Sequence, residues 1–298
     1  MKRLEQLATR QLIVVTGKGG VGKTTIAAAL GRLLAAMGRR VLLLEVDPRE
    51  SLHQLLGTEP SGGQIVKAGQ RLTAQNLLAR NVVDGLIRET LPIAALAKKV
   101  IGSPLFQHFA EGAPGLKEMA VLGYALRTVE GKYRHKADLV VLDAPATGHS
   151  AAMLAAPLLL ADAIGGGQLG DMATELAAFV ADPTRCGVVL TALAEEMPIQ
   201  EALELVELLR EKIGRPPELV VANALYPPVP SRSAGKPPGT AAGATVDLWR
   251  QRRAVNEREL ARLRAGWKGP LAETPLLPID RGPDLLVAIE AALGEELG

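Results

Sequence analysis

Residues 11–25 read QLIVVTGKGGVGKTT, and this stretch decides the fold. The β-branched apolar run from Leu12 to Val15 predicts a strand buried on both faces. A loop follows, Gly17-Lys18-Gly19-Gly20-Val21-Gly22, and Lys23-Thr24-Thr25 opens a helix. Glycines let successive backbone N–H groups turn inward and approach an anion closely. The helix N-terminus adds partial positive charge, the Lys23 ammonium reaches β- and γ-phosphates, and the Thr24 hydroxyl is of a type to ligate Mg²⁺. The pattern G-x-x-x-x-G-K-[ST] between a strand and a helix therefore predicts a nucleotide site.

Outward from the loop, Ile26 to Met37 is an Ala/Leu helix closed by Gly38. Val41 to Val46, VLLLEV, is a second buried strand ending at Asp47-Pro48. Strand, helix and strand at this spacing form a βαβ unit, so the two strands are parallel and the crossover is right-handed. Ligands of such sheets sit beyond the carboxyl ends of the strands, which brings Asp47 to the edge that carries the phosphate loop. Asp138 to Asp143, DLVVLD, is a third buried strand and runs into Ala144-Pro145-Ala146-Thr147-Gly148-His149. An apolar strand ending in Asp, downstream of a phosphate loop, has the character of a Walker B element. Further strands are expected at Gly187 to Thr191, Leu219 to Asn223 and Leu276 to Ile279, with helices between them. This alternation predicts an α/β fold, a doubly wound, mostly parallel sheet of P-loop NTPase type, as one domain over residues 1–298. After a short helix from Ser51 to Leu56, a polar stretch runs to about Thr73. Val82 to Gly131 shows helical periodicity without a strand and reads as a helical insertion within the domain. Pro227 to Ala244 is rich in Pro, Gly, Ser and Ala and is expected to be a flexible, exposed loop.

Aromatic residues make up only 3 % of the chain, so Leu, Ala, Val and Ile must build the core. A net charge of +2 gives no reason to infer a nucleic-acid partner. The one arginine-rich segment, Arg250 to Arg264, is interleaved with Glu257 and Glu259 and reads as a solvated helix face. A single cysteine, Cys186, excludes an internal disulfide and a Cys-x-x-Cys zinc site, and its apolar neighbours make it a small buried hydrophobe. His53, His108 and His135 show no metal-ligand spacing. Met1 to Arg10 lacks a secretory apolar segment, and no apolar run reaches membrane-spanning length. A cytoplasmic protein is expected.

The second lysine of GKGGVGKTT, Lys18, resembles the deviant Walker A loop of the ATPase class that includes ArsA, MinD, ParA and the nitrogenase iron protein. Asp47-Pro48 looks like switch I of ArsA-type ATPases. Asp143 to His149, DAPATGH, is similar to switch II of ArsA and of the ATPase that targets tail-anchored proteins. Pro114 to Glu118, and the segment from Glu196 to Asn223, also resemble parts of those proteins in the right order. The resemblance implies an ATP- and Mg²⁺-dependent dimer, either a homodimer or a heterodimer with a paralogous ATPase. Lys18 would reach the partner subunit's phosphates, Lys23 those of its own subunit, and Thr24 the metal. Asp47 would orient and deprotonate the attacking water, and Asp143 would hold a metal-bound water and couple phosphate loss to switch II. Asn223 would read the adenine edge, with Pro278 and Ile279 closing over the base. For Asp47 the bland alternative is a cap of the Pro48 turn, for Lys18 a solvated loop lysine, for Asp143 an N-cap of the following segment, and for Asn223 a turn former before Tyr226-Pro227-Pro228.

The family's cysteine sites are missing. The zinc clip of the targeting ATPases and the arsenite site of metalloid-responsive members both need cysteines that one Cys186 cannot supply. The function expected is an ATP-switched dimer that handles a protein client or a membrane-associated partner. A client groove would expose Leu91, Ile93, Leu96, Val100, Ile101, Leu105, Phe106 and Met119; ordinary core packing is the competing reading of that stripe. The alternatives are a MinD/ParA-like spatial organiser and a small-molecule ligase or kinase on the same fold. Against the MinD type, the last helix carries Glu290, Glu295 and Glu296 where anionic lipid would demand basic residues.

Overall fold

The computed structural model describes residues 2–47, 49–78, 81–83, 103, 115–133, 135–145, 150–229 and 241–298. Its strands are β1 (Leu12–Thr16), β2 (Val41–Glu45), β3 (Val66–Lys67), β4 (Leu72–Asn76), β5 (Leu139–Asp143), β6 (Cys186–Leu193), β7 (Leu219–Leu225) and β8 (Leu271–Pro275). They form one sheet in the order β3-β4-β2-β5-β1-β6-β7-β8, parallel throughout except for the β3–β4 pair. Every residue of β1, β2 and β5 is buried. These central strands are covered on both faces, and so their sequences are apolar up to a polar last residue.

Side chains alternate across a strand, and the two faces feed different helices. Ile13, Val15, Leu43 and Val141 pack against α2 (Lys23–Ala36), α3 (Leu52–Leu56) and α9 (Pro283–Leu297) through Ile26, Leu30, Leu55 and Ile289. Leu12, Val14, Leu42 and Leu142 meet α4 (Leu116–Val129), α5 (Ser150–Ile164) and α6 (Gln168–Ala181) through Met119, Leu154 and Phe179. A third cluster seats α7 (Glu196–Ile213) and α8 (Ala241–Gly266) on β6 and β7 through Ile199, Val206, Leu260 and Leu263. The short helix α1 (Arg3–Ala8) buries Leu7 against the first of these layers. Among the described residues no helix is long and apolar enough to cross a membrane.

The structure corrects several expectations. The stretch read only as polar up to about Thr73 carries β3 and leads into β4, which buries Leu72, Ala74 and Asn76 in alternation. LTAQN contains no apolar run, but the edge of β2 has backbone groups that need partners, and β4 supplies them in parallel register from Val41↔Leu72 to Glu45↔Asn76. The last strand is Leu271–Pro275, not Leu276 to Ile279; Leu276 and Ile279 are each 38 % exposed beyond its end. Helix α8 begins at Ala241, inside the stretch expected to be loop, and residues 230–240 lie outside the described residues. Of the helical insertion, residues 84–102 and 104–114 lie outside as well, and with them Leu91, Ile93, Leu96, Val100, Ile101, Leu105 and Phe106. Met119 is fully buried on α4 against the sheet, so it lines no exposed groove.

Candidate functional site

Parallel strands bring their carboxyl ends to one edge of the sheet. There β2 ends at Glu45, β4 at Asn76 and β5 at Asp143, in lateral register, beside the end of β1 at Thr16. The loop from Gly17 to Gly22 crosses this edge into α2. Gly17 has φ 142°, and a Cβ there would stand 2.2 Å from the Thr191 carbonyl oxygen of β6. Gly22, which caps α2 at φ 91°, would place a Cβ 2.1 Å from the Asn223 amide nitrogen. Both approaches are too close for any side chain, so the loop's course depends on glycine at these two points. Gly19 and Gly20 are exposed, Val21 is buried and Thr25 is half-buried on the first turn of α2.

Lys23 opens α2 and is only 6 % exposed. Its Nζ donates to the Lys18 carbonyl at 2.9 Å, drawing the loop around its own ammonium. Burial lowers the lysine's pKa, while the charges of Asp143 and Asp47 hold it up. On the next residue, Thr24 Oγ1 donates to Asp143 Oδ2 at 2.6 Å. Burial pushes the Asp143 carboxyl up to about 7, the Thr24 hydrogen bond and Lys23 opposing the shift and Glu45 and Asp47 adding to it. The other oxygen, Asp143 Oδ1, is buried without a hydrogen-bond partner among the described residues. Thr16 Oγ1 and Thr191 Oγ1, at the same edge, are in the same condition. Unpartnered buried oxygens cost free energy and call for an explanation. A hydroxyl beside a carboxylate is a hard oxygen pair that suits Mg²⁺, which takes one or two protein oxygens and completes its shell with phosphate and water.

Asp47 lies half-buried after β2. Its Oδ1 accepts from the Arg49 backbone N–H at 2.8 Å, and its carbonyl accepts from Asn76 Nδ2 at 3.0 Å. The turn-forming role is thus present, yet the same carboxylate also acts electrostatically on Lys23 and Asp143. Glu45 is a buried acid at this edge that sequence reasoning missed. It is 2 % exposed and accepts from the backbone N–H groups of Ser51 at 2.9 Å and Leu52 at 3.3 Å. In this way it ties the Asp47 turn to the start of α3. The available signal was an acidic residue closing an otherwise apolar strand.

The remaining expected site residues are placed less directly. Lys18 has a side chain that is 58 % exposed and forms an ion pair with Glu201 of α7. Asn223 is 8 % exposed; its Nδ2 donates to the Val21 carbonyl at 2.8 Å and its Oδ1 accepts from Thr274 Oγ1 at 2.8 Å. Its amide is engaged with the phosphate loop. Pro278 and Ile279 are exposed on the link from β8 to α9. Of the segment Asp143 to His149, Ala144 donates its N–H to the Val15 carbonyl at 3.0 Å and Pro145 is half-buried; Ala146, Thr147, Gly148 and His149 lie outside the described residues.

The Asp143 carboxyl gives a measurable pH signature. An acid whose pKa is raised on folding holds its proton more tightly in the native state, so stability falls as pH rises from its ordinary value near 3.8 towards about 7. Asp143→Asn removes that loss. Thermal melts of the ligand-free protein are expected to show the variant more stable at pH 8, by about 2–4 kcal/mol, and little changed at pH 4. Equal effects at both pH values would contradict the burial reading.

A family model described as anion-transporting ATPase matches residues 10–168. ATPase BagA of Mycobacterium tuberculosis is 34 % identical over 216 residues, covering 69 % of this chain and 63 % of that protein. ATPase asna-1 of Caenorhabditis elegans is 31 % identical over 170 residues, covering 54 % of this chain and 49 % of that one. An Aquifex aeolicus protein named as an arsenical pump-driving ATPase is 30 % identical over 145 residues, 46 % of either chain. The chain therefore spans less than two thirds of the length of these relatives.

Proposed function

Because the chain belongs to the anion-transporting ATPase family, we propose that it hydrolyses ATP with Mg²⁺ and works as a nucleotide-switched dimer. The observation that carries this reading is the convergence of Lys23, Thr24 and Asp143 at the mouth of a glycine loop. Inward backbone N–H groups and the buried Lys23 ammonium bind the phosphates. Thr24 and Asp143 would hold Mg²⁺, which would supply neutralisation of phosphate charge. Asp47 orients the attacking water and takes its proton. Lys18 exchanges Glu201 for phosphate oxygens of the partner subunit, giving charge stabilisation from across the interface.

The work done by this cycle is the handling of a partner protein or membrane-associated partner, a reading supported by the likeness of Asp143 to His149 to switch II of the targeting ATPases. A trivalent arsenical is a poor candidate for cargo. Cys186 is the one cysteine of the chain, fully buried in β6, and burial pushes its thiol up to about 11, so no thiolate set is offered.

Phosphate release from ATP, read with Mg²⁺ and again after chelation, tests the proposal. Release is expected to depend on the metal by about a hundredfold or more. Binding of ATP that is indifferent to Mg²⁺, with no phosphate released, would contradict it.

A further inference from the structure

The pairing of β7 with β8 is irregular at one point. Ala222 stands opposite Glu273 and Leu225 opposite Pro275, so two residues, Asn223 and Ala224, face the single residue Thr274. This is a β-bulge, a device that re-aims a side chain. Ala224 adopts φ 57°, and among the described residues it is the one non-glycine with positive φ. A Cβ in that region is strained, and such strain persists where the surrounding structure holds it for a purpose.

The bulge aims Asn223 at the phosphate loop. The Val21 carbonyl can only accept, so the amide NH₂ must face it, and it does so at 2.8 Å. The amide oxygen is then left for Thr274, whose hydroxyl donates to it at 2.8 Å and thereby fixes which way round the amide sits. Thr274 is fully buried. From the loop's side the fit is reciprocal, because the space a Cβ of Gly22 would fill is occupied by the Asn223 amide nitrogen. Three separate features, a strained bulge, an orienting hydroxyl and a missing side chain, serve one contact.

We infer that Asn223 is a positioning residue that holds the phosphate loop in its anion-receiving form, with Thr274 setting its orientation. The inference rests on the ATPase reading for its consequence in binding, but the brace itself belongs to the ligand-free chain. It differs from the base-reading role implied by resemblance: a residue that braces the loop acts on every phosphate ligand alike.

The test uses wild type, Asn223→Ala, Thr274→Val and Thr274→Ser, with hydrogen exchange on the ligand-free proteins and binding of ATP, GTP and inorganic tripolyphosphate, each with Mg²⁺. Thr274→Val keeps the side chain's shape and removes only the hydroxyl. Exchange over Gly19 to Lys23 is expected to quicken about tenfold in Asn223→Ala and Thr274→Val, with Leu219 to Val221 unchanged and Thr274→Ser like wild type. All three ligands are expected to weaken by the same factor of about five to ten, leaving the preference for ATP over GTP unaltered. Loss confined to ATP, with tripolyphosphate unaffected, would overturn the inference in favour of base reading. Unchanged exchange in the loop would overturn it as well. If wild type bound none of the three ligands, the ATPase reading would fail while the exchange data still decided the brace.

Discussion

Lys23→Met is expected to weaken ATP binding by about 10²–10³-fold and to bring phosphate release down to background, with the fold retained. Three observations give the effect its size. The ammonium is 6 % exposed, so its interaction with a phosphate is little screened by water. Its anchor on the Lys18 carbonyl at 2.9 Å closes the loop, and a thioether cannot make that bond. Removing it also leaves the negative charges of Asp143 and Asp47 without the cation that offsets them. Methionine fills much the same volume on α2, so the packing cost should be no more than about 1–2 kcal/mol. Titration calorimetry with Mg·ATP and a thermal melt of the same sample separate the two effects. Binding within a few-fold of wild type would show that the loop does not hold triphosphate through this residue.

Asp47→Asn should act on the chemical step alone. Phosphate release is expected to fall by about 10²–10⁴-fold, while ATP binds as tightly as before or somewhat more tightly, one negative charge having left the neighbourhood of the phosphates. The choice of asparagine discriminates between the two roles the structure leaves to this residue. An Asn oxygen accepts the Arg49 N–H as well as an Asp oxygen does, so the turn survives, whereas an amide cannot take a proton from water. A variant with wild-type turnover would reduce Asp47 to a turn former. If turnover falls and binding persists, the ATP-bound state accumulates, and light scattering should find it dimeric.

Much of the site was legible because its parts are local. The phosphate loop is one contiguous segment, and β1, β2 and β5 are apolar runs because both of their faces are covered. The acids Asp47 and Asp143 follow from strand ends and the rule that ligands gather there. What the sequence concealed depends on topology. Strand β4 alternates one covered and one half-open face with LTAQN, which lacks the β-branched run of the central strands. The apolar LLPI has the stronger strand pattern, yet it is Leu271–Pro275 that joins the sheet, burying Ala272 and Thr274. The Lys18–Glu201 pair and the Asn223 contact with Val21 join residues far apart in the chain, and nothing in their local sequence announces them. Asn223 follows the apolar run that marks its strand, yet β7 continues past it through a bulge. A strand ending in Glu-Val-Asp offers two acids, and only the fold shows that Glu45 is the buried one, in register with Asn76 and Asp143.

In the proposed dimer the phosphate loop forms half of a shared site, with Lys23 acting on its own subunit's nucleotide and Lys18 on the partner subunit's. Mixing two variants each expected to be inactive alone, Lys18→Ala and Lys23→Met, decides whether the site is shared. A mixed dimer pairs a subunit that binds ATP but lacks the crossing lysine with a subunit that supplies that lysine but binds no ATP. Equal amounts are expected to recover about a quarter of wild-type phosphate release, since half of the dimers are mixed and each carries one complete site. A mixture as inactive as its two components would contradict the claim and place Lys18 in its own subunit's site.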